Sequence, residues 1–164
     1  MARQVFRFEV AGDVQYSRAF DALAEEVRDL TEPLTAVGEL VVRDVGEQFR
    51  SEGAFGHGSK WTPLNTDYER WKEQQVGVEP ILVFSGKMRE AMMARSAVHV
   101  SPRRMEYDPD APDYAIRHQQ GDEERGLPQR KMVEIPGSER RAVDRIFATW
   151  LNSIRRERLA GLRI

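Results

Sequence analysis

The sequence predicts an α+β fold: a small, mostly antiparallel sheet packed against a helical hairpin and a C-terminal amphipathic helix. Three observations predict it. Apolar residues recur at helical spacing over 16–30, 34–49 and 143–159. Short alternating or β-branched stretches stand at 6–10, 98–100 and 105–107. No linker breaks the chain, so a single domain is expected over 1–164, with a long polar loop at about 108–131.

The elements follow in order. Phe6, Phe8 and Val10 alternate with Arg7 and Glu9, the pattern of a half-buried strand. Tyr16, Phe20, Leu23, Val27 and Leu30 mark a first helix. Thr31-Glu32-Pro33 is a stop and a restart, because proline fits a helix's first turn and not its interior. Leu34, Val37, Leu40, Val41, Val45 and Phe49 form the second stripe, and so short a joint implies a helical hairpin. Gly38 and Gly46 weaken this helix unless another backbone comes close. A glycine-rich loop covers 53–60. Thr66 and Glu69 read as a capping box opening a short helix with Tyr68 and Trp71. Ile81-Leu82-Val83-Phe84 is too short to type, and Ser85 is the expected cap of a helix over Met88, Ala91 and Met92. Val98–Val100 and Met105–Tyr107 predict two strands joined at 101–104, and 132–135 a last strand. Val143, Ile146, Phe147, Trp150, Leu151, Ile154 and Leu159 share one helical face, with Ser138 as cap. Arg155, Arg156 and Arg158 lie near its C-terminus, where positive charge suits the helix dipole.

Composition narrows the function. The 164 residues include no cysteine, which excludes disulfides, thiolate metal sites and cysteine nucleophiles. No apolar run approaches the ~18–20 residues of a membrane span, and the N-terminal stretch lacks the apolar core of a signal peptide. Net charge is −2, but residues 1–82 carry 9 basic and 15 acidic side chains and residues 83–164 carry 16 and 12. Opposite signs on two surfaces would favour head-to-tail contacts between copies. The slightly acidic total argues against sequence-specific nucleic-acid binding, and the 21 arginines against 4 lysines read as a GC-rich genome.

No catalytic constellation emerges. His57, His99 and His118 are scattered and unpaired, and His118 reads as a hydrogen-bonding residue of the core or of a subunit contact. Asp108-Pro109-Asp110-Ala111-Pro112-Asp113 lacks the glycine and distal glutamate of a calcium loop, and reads as an exposed acidic loop. Neither phosphate-binding glycine motif is present, and Ser85-Gly86 is not a nucleophile elbow. No catalytic, cofactor or metal residue is therefore assigned. Phe55, Trp61, Tyr68 and Trp71 crowd a polar stretch, as anchors folded onto the core or as contact residues.

The order of motifs resembles the virion morphogenesis (tail completion) family of tailed bacteriophages. A helix pair ends in Phe49, and a glycine-bearing loop leads to Trp61, Pro63 and Leu64. Tyr68 and Lys72 follow on a short helix, then Ile81-Leu82 and Ser85-Gly86-x-Met88. The most specific piece is Tyr-Ala-x-x-His-Gln-x-Gly, here Tyr114, Ala115, His118, Gln119 and Gly121, with Pro128 and Arg130 after it. Gln120 stands where an aromatic is usual, Lys131-Met132 where Pro-Phe is typical, and Met88 replaces leucine.

The resemblance implies a virion part without catalysis or cofactor: a tail terminator or neck protein at the head-proximal end of the tail. It implies a ring of subunits, hexameric by analogy, between the tail tube protein and the head–tail connector. The chain would be assembled in the host cytoplasm and kept in the virion, with phage DNA in the lumen and no membrane. The expected interface and structural residues are Trp61, Pro63, Tyr68, Trp71, Gly86, Tyr114, His118, Gln119, Gly121, Pro128 and Arg130. The alternatives are a tail-assembly chaperone or scaffold that leaves before maturation, and a phage hydrolase or nuclease.

Overall fold

The computed structural model describes residues 21–22, 24–25, 27–55, 58–134 and 137–159. The predicted strand at 6–10 lies outside them, as do Tyr16, Phe20 and Leu23 of the predicted first helix, and His57. The α+β class is observed: the described residues form five helices and one small two-stranded antiparallel sheet. In chain order the elements are α1 (Thr31–Arg50), α2 (Thr66–Val76), α3 (Lys87–Met93), β1 (Val98–Ser101), β2 (Arg104–Tyr107), α4 (Tyr114–Gln120) and α5 (Gly137–Leu159).

α1 is the axis. Val27 and Arg28 form a turn, and the helix restarts at Thr31, whose N–H donates to Asp29 Oδ1 at 2.9 Å. Pro33 is buried in the first turn, where its missing N–H costs nothing. Val37, Leu40, Val45 and Phe49 supply the buried stripe. The strands pair Val98 with Tyr107, His99 with Glu106, Val100 with Met105 and Ser101 with Arg104. Val98, Val100, Met105 and Tyr107 are the more buried set, while His99 and Glu106 face outward.

A lone hairpin is marginal in water and needs something to pack on. Here α1 supplies it. A Cβ on Gly38 would stand 2.3 Å from Val98 Cγ1, so the glycine lets strand and helix meet. Gly46 similarly faces Met93, 3.0 Å from its Cε. Leu30 N–H donates to the Pro102 carbonyl at 2.8 Å, fastening the hairpin turn to the start of α1. The Tyr107 hydroxyl donates to the Met92 carbonyl, and burial pushes that phenol up to about 12.

The core joins Val45, Phe49, Trp61, Val83, Met88, Met92, Ala115 and Met132, so both sequence halves enter one interior. α5 buries Trp150 and Ile154, and Arg43 of α1 reaches Glu139 in its first turn at 3.3 Å. Leu151, expected on the buried face, is exposed.

Four local expectations change. Asn65, not Thr66, caps α2, and its side chain accepts the Asp67 N–H at 2.9 Å. Gly86, in the left-handed conformation, precedes α3 and leaves Ser85 no capping role. α5 begins at Gly137, which puts Ser138 inside the first turn. Residues 132–134 form no strand, because a side chain takes the place of the neighbouring strand, as described below. The polar loop at 108–131 also contains the helix α4 and a tight turn in which Asp122 and Leu127 exchange both backbone hydrogen bonds.

Gly38→Ala is expected to destabilise the fold by ~1–3 kcal/mol in denaturant unfolding, because overpacking against Val98 outweighs the ~1 kcal/mol of helix propensity gained. Adding Val98→Ala should recover part of the loss non-additively, and strictly additive effects would contradict the close approach.

Candidate functional site

A groove of about 1110 Å³ opens between α2, the turn before α3, and the 114–130 segment. Pro63, Tyr68, Gly86, Tyr114, His118, Pro128 and Arg130 all line it, joined by Leu64, Lys72, Phe84 and Leu127. Trp71 stands beside it, stacked on Phe84. Trp61, Gln119 and Gly121 lie behind, where they shape its wall.

Trp61 is an anchor. It is buried, meets Phe49 edge-on with ring centres 5.8 Å apart, and donates its indole N–H to the Lys131 carbonyl at 3.0 Å. Its own N–H donates to the Glu52 carbonyl at 2.6 Å. Gly53, at φ +92°, lies under the indole, and a Cβ there would fall 2.3 Å from Trp61 Cδ1. Glycine is needed at this position for both reasons.

Gln119 holds the segment after it. Its Oε1 accepts the N–H groups of Met132 (2.8 Å) and Val133 (3.1 Å), and its Nε2 donates to the Val133 carbonyl at 2.8 Å. One amide thus does for 132–133 what a paired strand would do. Gly121, at φ +81°, turns the chain so closely that a Cβ would come 3.1 Å from the Gln129 nitrogen.

Arg130 completes the tie. Its side chain is sunk in the wall, and Nε and Nη2 donate to the carbonyls of Thr62 (3.1 Å) and Pro63 (3.3 Å). Its N–H donates to the His118 carbonyl at 2.7 Å. Burial holds its guanidinium below the usual range. His118 contributes its main chain to this tie, but its buried Nδ1 has no hydrogen-bond partner. Burial, and then the charge of Arg130, hold the imidazole below its ordinary value. The side chain that binds the loop is therefore Gln119, while His118 meets Tyr114 edge-on at 6.3 Å.

Three aromatics form an exposed stack. Trp71 and Phe84 lie parallel, 4° apart with centres at 5.6 Å, and Tyr68 lies at 5.6 Å from Trp71. They are 47%, 44% and 46% exposed for Trp71, Phe84 and Tyr68. Lys72 is buried beneath, donating to the carbonyls of Glu79 (2.7 Å) and Pro80 (2.6 Å), and burial lowers its pKa. Glu52 pins the same turn: Oε1 accepts the Ile81 N–H at 3.1 Å and Oε2 the Lys60 ammonium at 3.0 Å. These bonds, the Ile81 one foremost, hold its carboxyl below the usual range.

Sequence reasoning missed Glu52 and Phe84. Glu52 gives no sequence signal, since its partners lie 8 and 29 residues away. Phe84 closes a short apolar run that looks like core. Among the described residues, no three His, Cys, Asp or Glu side chains gather as a metal ion would need. No helix among them is long and apolar enough to cross a membrane.

The model of the phage virion morphogenesis family matches residues 12–152. The chain belongs to that family, whose members are structural and assembly proteins of phages. No curated protein and no solved structure matches it.

Trp61→Ala should cost ~3–5 kcal/mol in equilibrium unfolding, whereas Trp71→Ala should cost about 1 kcal/mol or less, since only exposed contacts with Tyr68 and Phe84 are lost. Equal costs would contradict the division into anchor and exposed stack. In Gln119→Ala, the amide protons of Met132 and Val133 should exchange about tenfold faster or more, with protection in α1 less affected. Unchanged exchange at both would rule out the amide clamp.

Proposed function

We propose that this chain is a tail completion protein: a structural subunit at the head-proximal end of a phage tail, forming a ring at the head–tail junction and catalysing nothing. The observation that carries the reading is the convergence on one groove of twelve residues of the motif order that resembles the family's, spread from Pro63 to Arg130. The groove's lining sets the aromatic side chains of Tyr68, Phe84 and Tyr114 around Arg130, and aromatic residues and arginine are the types enriched at contact surfaces.

Two further features support the reading. The groove's frame is made of irregular segments fixed by side-chain-to-backbone bonds, so its shape is prepared before a partner arrives. The exposed aromatic stack supplies the rigid apolar area that anchors an interface. In the ring, one face of each subunit meets a different face of the next, and the assembly sits between the tail tube protein and the connector.

Mass spectrometry of purified mature particles should find this chain at a few copies, and native mass spectrometry or electron microscopy should find rings, alone or on tail tubes. Its absence from mature particles would favour the chaperone or scaffold reading instead. His118→Ala should lower incorporation into particles more than it lowers monomer stability. A large stability loss with normal incorporation would contradict an interface role for that residue.

A further inference from the structure

The base of the groove holds a positive charge in no ion pair, with Tyr68 as its electrostatic neighbour and Glu123 elsewhere in the lining. Arg130 is only 4% exposed, yet no carboxylate pairs with it among the described residues. Its two side-chain hydrogen bonds end on neutral carbonyls, and its Nη1 makes none. Beside it, the His118 Nδ1 is buried without a partner. A buried charge is costly unless paired and hydrogen-bonded, so such a site strongly favours an incoming anion. Lys72, the other buried cation among the described residues, differs: the carboxylates of Glu79, Glu52 and Glu69 all act on it.

The rim is of the opposite kind. The Tyr68–Trp71–Phe84 stack and Tyr114 present exposed aromatic surface next to this charge. We propose that the groove takes an extended protein segment bearing a carboxylate next to an aromatic or large aliphatic side chain. The carboxylate reaches Arg130, and the apolar neighbour lies on the Tyr68–Trp71–Phe84 stack.

Two physical points select this occupant. A DNA duplex presents its phosphates on a broad cylinder and is met by cations that stand out from a surface, whereas Arg130 is recessed among apolar walls. A groove of about 1110 Å³, open to solvent, has room for several residues of an extended chain. The recognition chemistry stands on the groove alone. It rests on the particle role only for the source of the segment, an adjoining virion subunit.

The test is selection of a yeast-displayed library of random peptides on the purified full chain, followed by titration of the enriched peptides. Enriched peptides should share an Asp or Glu beside an aromatic or large aliphatic residue. Changing that acid to its amide should weaken binding about tenfold or more, and added salt should weaken it further. Tyr68→Ala should abolish most binding without lowering the melting temperature, because Tyr68 is exposed. Arg130→Gln should do the same to binding, and Tyr68→Ala decides the matter if that variant misfolds. No enrichment, enrichment of peptides without the acid, or binding indifferent to Tyr68→Ala would overturn the proposal. Displacement of the peptides from the unsubstituted chain by a short DNA duplex would overturn it in favour of a nucleic-acid site. Failure here leaves the particle role standing, while absence of the chain from particles with peptide binding intact would remove the role and leave the groove.

Discussion

The structure depends on the tie between two segments far apart in sequence, 58–63 and 118–133. Neither is a strand or a long helix, so the backbone groups of each must find partners elsewhere. Side chains provide them. Trp61 reaches the Lys131 carbonyl, Arg130 reaches the carbonyls of Thr62 and Pro63, and Gln119 closes on Met132 and Val133. Each bond contributes only about 1 kcal/mol net, but breaking one leaves a buried group unpaired at a higher cost. That asymmetry keeps the segments together once formed.

The groove is a by-product of this tie. Holding 118–130 against 61–65 fixes one wall, and the pair Lys72 and Glu52 fixes the turn at 79–81 that leads into the other. Aromatic side chains on α2 are thereby left facing Phe84 instead of the interior. Because Arg130 spends its hydrogen bonds on neutral carbonyls, the same contact that stabilises the wall also sets a positive charge at its base. Structure and electrostatics at this site have one origin.

Where periodicity is strong, the sequence declares the structure. The stripe from Leu34 to Phe49 becomes α1, the alternation at 98–107 becomes the hairpin, and Gly38 meets the Val98 side chain where a close backbone was expected. The residues around the groove were nameable from the order of motifs, but their convergence was not, since Pro63 and Arg130 meet across 67 positions. The expected strand at 132–135 fails for a physical reason: a glutamine amide can satisfy a backbone as a strand does, and no local pattern announces it. The cap of α2 was off by a residue, because Asn65 and Thr66 are neighbours with side chains of similar capping preference. The fate of each aromatic was also open. Trp61 and Trp71 look alike in sequence, and only the fold makes one an anchor and the other a surface ring.

Membership of the phage virion morphogenesis family sets the chain among structural and assembly proteins, and the groove gives that role a physical form. The central claim is that this protein acts by fitting against its neighbours through that surface. A cryo-electron reconstruction of the mature particle tests it most directly. The account predicts this chain at the head-proximal end of the tail, with a segment of an adjacent subunit lying over Arg130 and the Tyr68–Trp71–Phe84 stack. A chain seated in the particle with that groove open to solvent would contradict it.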